Sequence, residues 1–249
     1  MNAAPGAPAQ PAPQPAPWRD LALYLVVGAG SLLATSFVAA YFIHEFSIGL
    51  SLAAYALNVA CLGGTAWLLG LRRRKWSWAE FGLRPAHWSW LVVALVATLA
   101  VLPVRLVVAS VVQSAFGGLQ QGLQLRMDLF APDGFSWVNF GVTLLGAGVL
   151  APIAEEFYFR GLIHRWFMTR FTFWPRVLLS SLVFALGHID SAGVVAASYL
   201  MGIVLAALFE RSGSLWVPIL IHIINNSLVV ILLYAALALM RLFPGLNLM

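Results

Sequence analysis

Residues 88–112 have the sequence WSWLVVALVATLAVLPVRLVVASVV, in which Arg105 is the only charged side chain. A helix of about 20 apolar residues, rising about 1.5 Å per residue, crosses the hydrocarbon core of a bilayer. The whole chain agrees with this reading, because hydrophobic residues make up 61% of its 249 positions and charged residues only 9%. In soluble domains, roughly 45–50% of the residues are apolar and about 25% are charged. The sequence therefore predicts an all-α polytopic membrane protein.

Six further apolar segments have comparable composition. They cover residues 21–43, 50–71, 137–163, 174–189, 192–210 and 215–241. The segment at 174–189 is short for a full crossing, which needs about 20 residues. We expect about seven transmembrane helices around an intramembrane polar cavity.

Basic side chains are concentrated near the N-terminus and in three connections between these segments. They are Arg19, then Arg72, Arg73, Arg74, Lys75 and Arg84, then Arg165, Arg170 and Arg176, and finally Arg211. With seven spans all of them fall on one side, and the excess of Lys and Arg predicts that this side is cytoplasmic. The net charge of +5 is thus explained by orientation in the bilayer rather than by nucleic-acid binding. If the chain is bacterial, the membrane is expected to be the plasma membrane.

The distribution of proline, charge and apolar segments predicts three parts. Residues 1–18 form a disordered Pro/Ala-rich tail, since the first seventeen contain six prolines and no charged side chain. Residues 19–136 carry N-terminal transmembrane helices and loops. Residues 137–241 form a core in which most intramembrane polar residues occur.

Two carboxylates and an arginine interrupt the apolar sequence APIAEEFYFRGLIHR at 151–165. Ionisable residues at membrane depth are costly, so each is a candidate functional residue. Glu156 and Arg160 are four apart and face each other on a helix. Glu155 points about 100° away from Glu156, so one carboxylate can be neutralised by the arginine while the other acts as a base.

Further polar residues occur in two later segments. His188 ends the sequence SSLVFALGHID, in which Phe184 lies one turn earlier and can pack on the imidazole. His222 and Asn226 share one face of the segment SLWVPILIHIINNSL. We expect these residues and the carboxylates to form one shared site.

A carboxylate and an imidazole on neighbouring helices can hold a water molecule between them. The carboxylate accepts a proton as the water attacks a carbonyl carbon, and an imidazole and an amide can donate to the developing oxyanion. The same side chains could instead bind zinc or another divalent ion. The spacing is not HExxH, so the common zinc-protease helix is absent.

Three short motifs resemble those of a known family. EEFYFR at 155–160 matches EExxxR, FALGH at 184–188 matches FxxxH, and HIINN at 222–226 matches HxxxN. Their order and spacing are similar to those of the CPBP family of intramembrane proteases. This family includes the type II prenyl-protein (CAAX) endopeptidases and proteins linked to bacteriocin processing and self-immunity (Abi). The resemblance covers roughly residues 140–230.

The resemblance implies a role for each motif residue. Glu155 would be the general base that activates water, with assistance from His188. Glu156 and Arg160 would organise the site and hold the polar end of the substrate.

The third motif would supply the oxyanion hole, formed by His222 and Asn226. Families of this type have been described both as metalloproteases and as metal-independent glutamate proteases. The metal candidates, should one be used, are Glu155, His188 and His222.

The function that follows is that of an intramembrane endopeptidase. Its substrate would be a membrane-associated peptide or protein, such as a prenylated CAAX-type protein or a leader peptide, cleaved by glutamate- and histidine-activated water. The alternative is a non-catalytic immunity or scaffold protein that binds partner helices. A proton-coupled transporter is less well matched, because transporters favour paired repeats and the polar residues here occur in one half of the chain.

Overall fold

The computed structural model describes residues 15–34, 37, 47–116, 127–128, 130–132, 134–189 and 191–243, which are helical with intervening turns and loops and contain no strand. We number the helices in chain order. They are α1 (Trp18–Tyr24, continuing as Leu25–Gly30), α2 (Ile48–Arg72), α3 (Trp78–Phe81), α4 (Ser89–Phe116), α5 (Trp137–Met168), α6 (Phe173–Leu186), α7 (Ala192–Ser212) and α8 (Trp216–Leu242).

Within the described ranges, five helices are long and apolar enough to cross a membrane, namely α2, α4, α5, α7 and α8. The prediction of an all-α membrane protein is thereby confirmed, whereas the count of seven spans is not. Helix α6 has 14 residues, and about 20 are needed for a full crossing. The predicted first span reaches into residues 35–36 and 38–43, which lie outside the described residues, as do residues 1–14 of the predicted tail.

Helix α4 lies on the outside of the bundle. Its large apolar side chains, among them Leu91, Val96 and Val107, are exposed, as expected for a surface that faces lipid rather than water. The single charged residue of this helix is satisfied by a neighbouring helix, because Arg105 Nε donates to the carbonyl of Ala197 on α7 at 3.1 Å.

Helix α5 forms the centre of the bundle. Its second half is buried on every side, and Tyr158, Leu162 and Trp166 belong to the largest hydrophobic cluster. Helix α1 approaches it very closely: a Cβ at Gly28 would lie 2.2 Å from the Tyr158 ring. The phenol of Tyr158 donates to the carbonyl of Tyr24 at 2.9 Å. Polar residues on the second half of α5 are therefore enclosed by other helices.

The predicted cytoplasmic loops lie together at one end of the bundle, here called the basic end. Arg165 Nε donates to Phe81 O at 3.2 Å, and Leu215 N donates to Gly82 O at 2.8 Å. Trp166 Nε1 donates to Pro17 O at 3.0 Å, so the chain just before α1 also packs here. The three basic connections thus share one end of the molecule, as loops on a single side of a membrane must.

Candidate active site

The paired glutamates lie on a regular stretch of α5 between two irregular ones. Residues Ala151–Tyr158 are α-helical, whereas Leu144–Leu150 before them and Phe159–His164 after them have the wider π-type winding. Such π-type turns occur frequently at functional sites, because they change which face of a helix a side chain occupies. Here the α-helical stretch presents its two carboxylates in different directions.

Glu156 is completely buried and tightly paired. Arg160 Nη1 donates to its Oε1 at 2.7 Å, and His222 Nδ1 donates to the same oxygen at 2.8 Å. Arg160 also donates from Nη2 to Gly202 O at 3.2 Å, and its guanidinium lies 4.4 Å from the centre of the Phe184 ring. The predicted pairing of Glu156 with Arg160 is observed, and it connects α5 to α6, α7 and α8.

Glu155 is held much more loosely. Its Oε2 lies 3.6 Å from His188 Nε2 and 3.9 Å from His222 Nε2, and this buried oxygen has no hydrogen-bond partner in the described part of the chain. Its other oxygen, Oε1, accepts a hydrogen bond of 3.4 Å from Asn58 Nδ2 on α2. The result is a buried carboxylate oxygen that faces two imidazoles across gaps longer than a hydrogen bond.

The orientation of both imidazoles is set by their other nitrogen. His222 Nδ1 donates to Glu156, and His188 Nδ1 donates to the carbonyl of Phe184 at 2.9 Å. The Phe184 ring lies 4.7 Å from the His188 ring, as the spacing predicts. Because Nδ1 carries the proton in each ring, a neutral ring presents Nε2 as an acceptor and a protonated ring presents Nε2–H as a donor. Both Nε2 atoms point toward Glu155.

Asn226 lies beside the point where the two Nε2 atoms face Glu155, not at that point. Its Nδ2 donates to Ala147 O at 3.3 Å, and its Oδ1 accepts from Asn225 Nδ2 at 2.9 Å. Ala147 precedes Glu155 by two turns of α5. The structure therefore brings five of the six predicted site residues together and places the sixth one turn further along α8.

The predicted metal ligands receive no support from the structure. Among the residues that it describes, no three His, Cys, Asp or Glu side chains are grouped so that they could hold a metal ion. Glu155, His188 and His222 were the candidates for zinc.

Sequence reasoning missed Asn58 and a second buried polar cluster near the basic end. In this His164 cluster, defined by His164, Arg176, Ser180 and Glu210, His164 Nδ1 lies 2.7 Å from Ser180 Oγ and its Nε2 lies 2.8 Å from Glu210 Oε1. Arg176 donates from Nε to Glu210 Oε1 at 2.6 Å and from Nη2 to Glu210 Oε2. For Asn58, the sequence offers one signal, namely a polar amide side chain within the predicted span at 50–71.

Comparison with known proteins matches the part of the chain that carries the three motifs. Residues 137–228 match the sequence model of the family described as type II CAAX prenyl endopeptidase Rce1-like. An Escherichia coli protein described as "Uncharacterized 24.3 kDa protein" is 35% identical over 85 residues, which are 32% of this chain and 39% of that protein. The Bacillus subtilis (strain 168) protein named "Putative membrane peptidase YdiL" is 32% identical over 89 residues, 36% of each chain.

These matches have a defined extent. The chain aligns with less than two fifths of the length of either relative. No solved structure matches. The matched segment includes the Glu155 site apart from Asn58, which precedes it on α2. Over residues 137–228, the predicted resemblance to the CAAX-type intramembrane proteases is therefore confirmed, because this stretch matches the Rce1-like family model.

Proposed function

We propose that this protein is an intramembrane endopeptidase that hydrolyses a peptide bond of a membrane-associated substrate. The observation that carries the proposal is the buried Oε2 of Glu155, which has no hydrogen-bond partner in the described part of the chain and faces the Nε2 atoms of His188 and His222. A carboxylate in this position can hold and deprotonate a water molecule. The match of residues 137–228 to the Rce1-like family supports the same reaction.

In the proposed mechanism, the water molecule lies beside the gap of 3.6 Å between Glu155 Oε2 and His188 Nε2, within hydrogen-bonding reach of both atoms. Its oxygen attacks the carbonyl carbon of the scissile bond while its proton passes to Glu155. The proton then moves to the leaving amine as the C–N bond breaks, which returns Glu155 to its ionised form. The reaction consumes one water and yields a carboxylic acid and an amine.

The developing oxyanion requires hydrogen-bond donors. The hydrogen bond of 2.8 Å between His222 Nδ1 and Glu156 fixes the ring so that its Nε2 edge faces the reacting carbonyl, where an Nε2–H donates to the oxyanion. Asn226 has one amide hydrogen left after its bond to Ala147 O and serves as the second donor. Glu156 and Arg160 position this arrangement and do not take part in proton transfer.

The substrate must reach the site from a membrane. Glu155 lies thirteen residues before the end of α5 at Met168, which is about 20 Å from the basic end along the helix. We place the basic end in the cytoplasm, because Lys and Arg concentrate on that side of membrane proteins. A peptide end inserted from the cytoplasmic surface, lipid-modified or preceded by an apolar segment, fits this depth.

The test is cleavage of defined reporters by the purified protein in detergent. The reporters are a farnesylated CAAX peptide and a peptide with an apolar leader, each carrying a fluorophore and a quencher. The wild type should cleave at least one, and Glu155→Gln should cleave neither. Failure of the wild type on both, in detergent and in liposomes, would contradict the proposal and favour the non-catalytic scaffold.

Repeating the assay with a strong chelator distinguishes a metal-independent mechanism from a zinc-dependent one. Wild-type cleavage that persists with a strong chelator is the expected result for a carboxylate-activated water. Cleavage that is lost on chelation and restored by zinc would contradict the metal-independent steps above while leaving the endopeptidase assignment in place.

A further inference from the structure

Asn58 reaches the site from α2, outside the segment that matches the family. Its Nδ2 donates to Glu155 Oε1 at 3.4 Å across a sequence separation of 97 residues. The other end of the same amide, Oδ1, is buried without a hydrogen-bond partner in the described part of the chain. A buried amide with one unsatisfied oxygen is destabilising by itself, so stability gives no reason for its presence.

The backbone around Asn58 is fixed by packing. The next residues of α2, Val59–Gly63, have π-type winding and pack on the Ala151–Tyr158 stretch of α5. Leu62 is 2% exposed and belongs to the same hydrophobic cluster as Tyr158. A Cβ on Gly63 would lie 3.5 Å from the Cβ of Ala154. Asn58 is therefore held at a defined height beside Glu155.

The orientation of Glu155 depends on this contact. Within the described residues, the amide of Asn58 donates the single hydrogen bond that Glu155 accepts, and it does so at Oε1. A glutamate side chain has three rotatable bonds, so its carboxylate can take several positions. The hydrogen bond at Oε1 restricts these positions and directs Oε2 to one place. That place is the point between His188 Nε2 and His222 Nε2.

We propose that Asn58 is a positioning residue of the active site, which holds Oε1 of Glu155 so that Oε2 faces the two imidazoles. This inference rests on the proposed function. It also means that the segment 137–228 does not contain the whole site, and that α2 contributes a hydrogen bond to the reacting carboxylate.

The test uses Asn58→Leu with Tyr55→Phe as the matched control. Leucine has the same branched arrangement of side-chain heavy atoms as asparagine and no donor, so Glu155 loses its anchor. We expect kcat to fall by about 10- to 100-fold, since misplacement of a reacting group by about 1 Å has effects of this size, with KM within about twofold of the wild type. Tyr55 lies one turn earlier on α2, and its buried hydroxyl likewise has no hydrogen-bond partner among the described residues, so Tyr55→Phe should leave kcat unchanged.

Thermal stability separates positioning from a structural role. Asn58→Leu removes an amide oxygen that has no partner among the described residues, and it also leaves Glu155 Oε1 without its donor. These two effects on the free energy of unfolding oppose each other, so its melting temperature should stay close to that of the wild type. Asn58→Gln keeps an amide donor and should recover part of the lost kcat. A wild-type kcat in Asn58→Leu, or a fall in kcat accompanied by a matching fall in melting temperature, would overturn the inference.

The same assay identifies which proposal has failed. If Glu155→Gln is inactive while Asn58→Leu is fully active, the role of Asn58 is wrong and the proposed mechanism stands. If Glu155→Gln retains full turnover of the farnesylated or leader-peptide reporter, the mechanism is wrong and the role of Asn58 is overturned with it.

Discussion

Two polar clusters that pack against helix α5 both contain carboxylate, imidazole and guanidinium groups and differ in how completely those groups are paired. In the His164 cluster, both ring nitrogens of His164 and both oxygens of Glu210 have partners at hydrogen-bonding distance. In the Glu155 site, Oε2 of Glu155 and Oε2 of Glu156 are buried and have no hydrogen-bond partner in the described part of the chain.

The difference separates a structural cluster from a reactive one. A buried carboxylate with a full set of hydrogen bonds ties helices together and has no lone pair left for a substrate. A buried carboxylate oxygen without a partner is costly, and natural proteins retain such groups where chemistry requires them. Oε2 of Glu155 faces two imidazoles, whereas Glu156 is held through Oε1 by Arg160 and His222. Glu155 is therefore the expected base, and Glu210 is expected to contribute to stability alone.

The largest effect is expected at Glu156, whose Oε1 accepts hydrogen bonds from both Arg160 and His222. Glu156→Gln removes the charge of the carboxylate to which Arg160, which is 2% exposed, donates at 2.7 Å. Breaking one side of a buried ion pair costs about 3–5 kcal/mol, so the melting temperature in detergent should fall sharply and little folded protein should be recovered. Glu155→Gln, the same substitution at the adjacent residue, is the control and should melt like the wild type.

Asn226→Ala tests whether Asn226, which lies beside the Glu155 site, takes part in the reaction. As a donor to the oxyanion, Asn226 should contribute about 10²–10³-fold to kcat, with little change in melting temperature. The control is Ser227→Ala, which removes a hydrogen bond of 3.3 Å to the neighbouring carbonyl of Gly148 and should leave kcat unchanged. Equal activities of the two variants would remove Asn226 from the mechanism.

A smaller effect is expected from Ser180→Ala in the His164 cluster. The substitution leaves Nδ1 of the fully buried His164 ring without its partner at 2.7 Å, which should cost about 1–3 kcal/mol of unfolding free energy. Turnover per folded molecule should not change. A large loss of turnover at constant melting temperature would show that the His164 cluster is not purely structural.

The smallest effect is expected at an exposed carboxylate outside both clusters. Glu80 accepts hydrogen bonds of 2.7 Å from both Ser77 N and Ser77 Oγ, at the start of α3. The bond from Ser77 N is the main cause that holds the pKa of Glu80 below its usual value. A carboxylate with a lowered pKa stabilises the fold above its unfolded-state pKa and loses this contribution as the pH falls through its folded-state pKa.

Glu80→Gln should therefore lower the melting temperature slightly near neutral pH, on the order of 1 °C. The difference from the wild type should vanish as the pH is lowered past the lowered pKa of Glu80. Melting curves at a series of acidic pH values measure this. A difference that grows toward acid would contradict the role of the carboxylate.

Much of the fold class follows from local sequence, because a lipid-facing helix must be a continuous apolar run. The number of spans does not follow in the same way. The apolar segment at 174–189 ends as a helix at Leu186, where Gly187 and His188 turn the chain toward α7. Where a helix stops inside a bundle depends on its neighbours, and the apolar composition continues past that point.

The site shows the same division between local and long-range information. Helical spacing predicts the pairing of Glu156 with Arg160 and the packing of Phe184 on His188, since each pair is four residues apart. Asn58 and Glu155 are 97 residues apart, and His164 and Glu210 are 46 apart. Contacts over such separations arise from the packing of α2 and α7 on α5. No local sequence motif indicates this packing.

The central claim is that Glu155, whose Oε2 is unpaired within the described residues and faces two imidazoles, is reactive, and that the fully paired Glu210 is structural. The most direct test measures reporter turnover and melting temperature together for Glu155→Gln and Glu210→Gln. In Glu155→Gln, turnover should fall by at least about 10²-fold and the melting temperature should equal that of the wild type. In Glu210→Gln, the melting temperature should fall and the turnover per folded molecule should stay the same. Full turnover in Glu155→Gln, or lost turnover at an unchanged melting temperature in Glu210→Gln, would contradict the account.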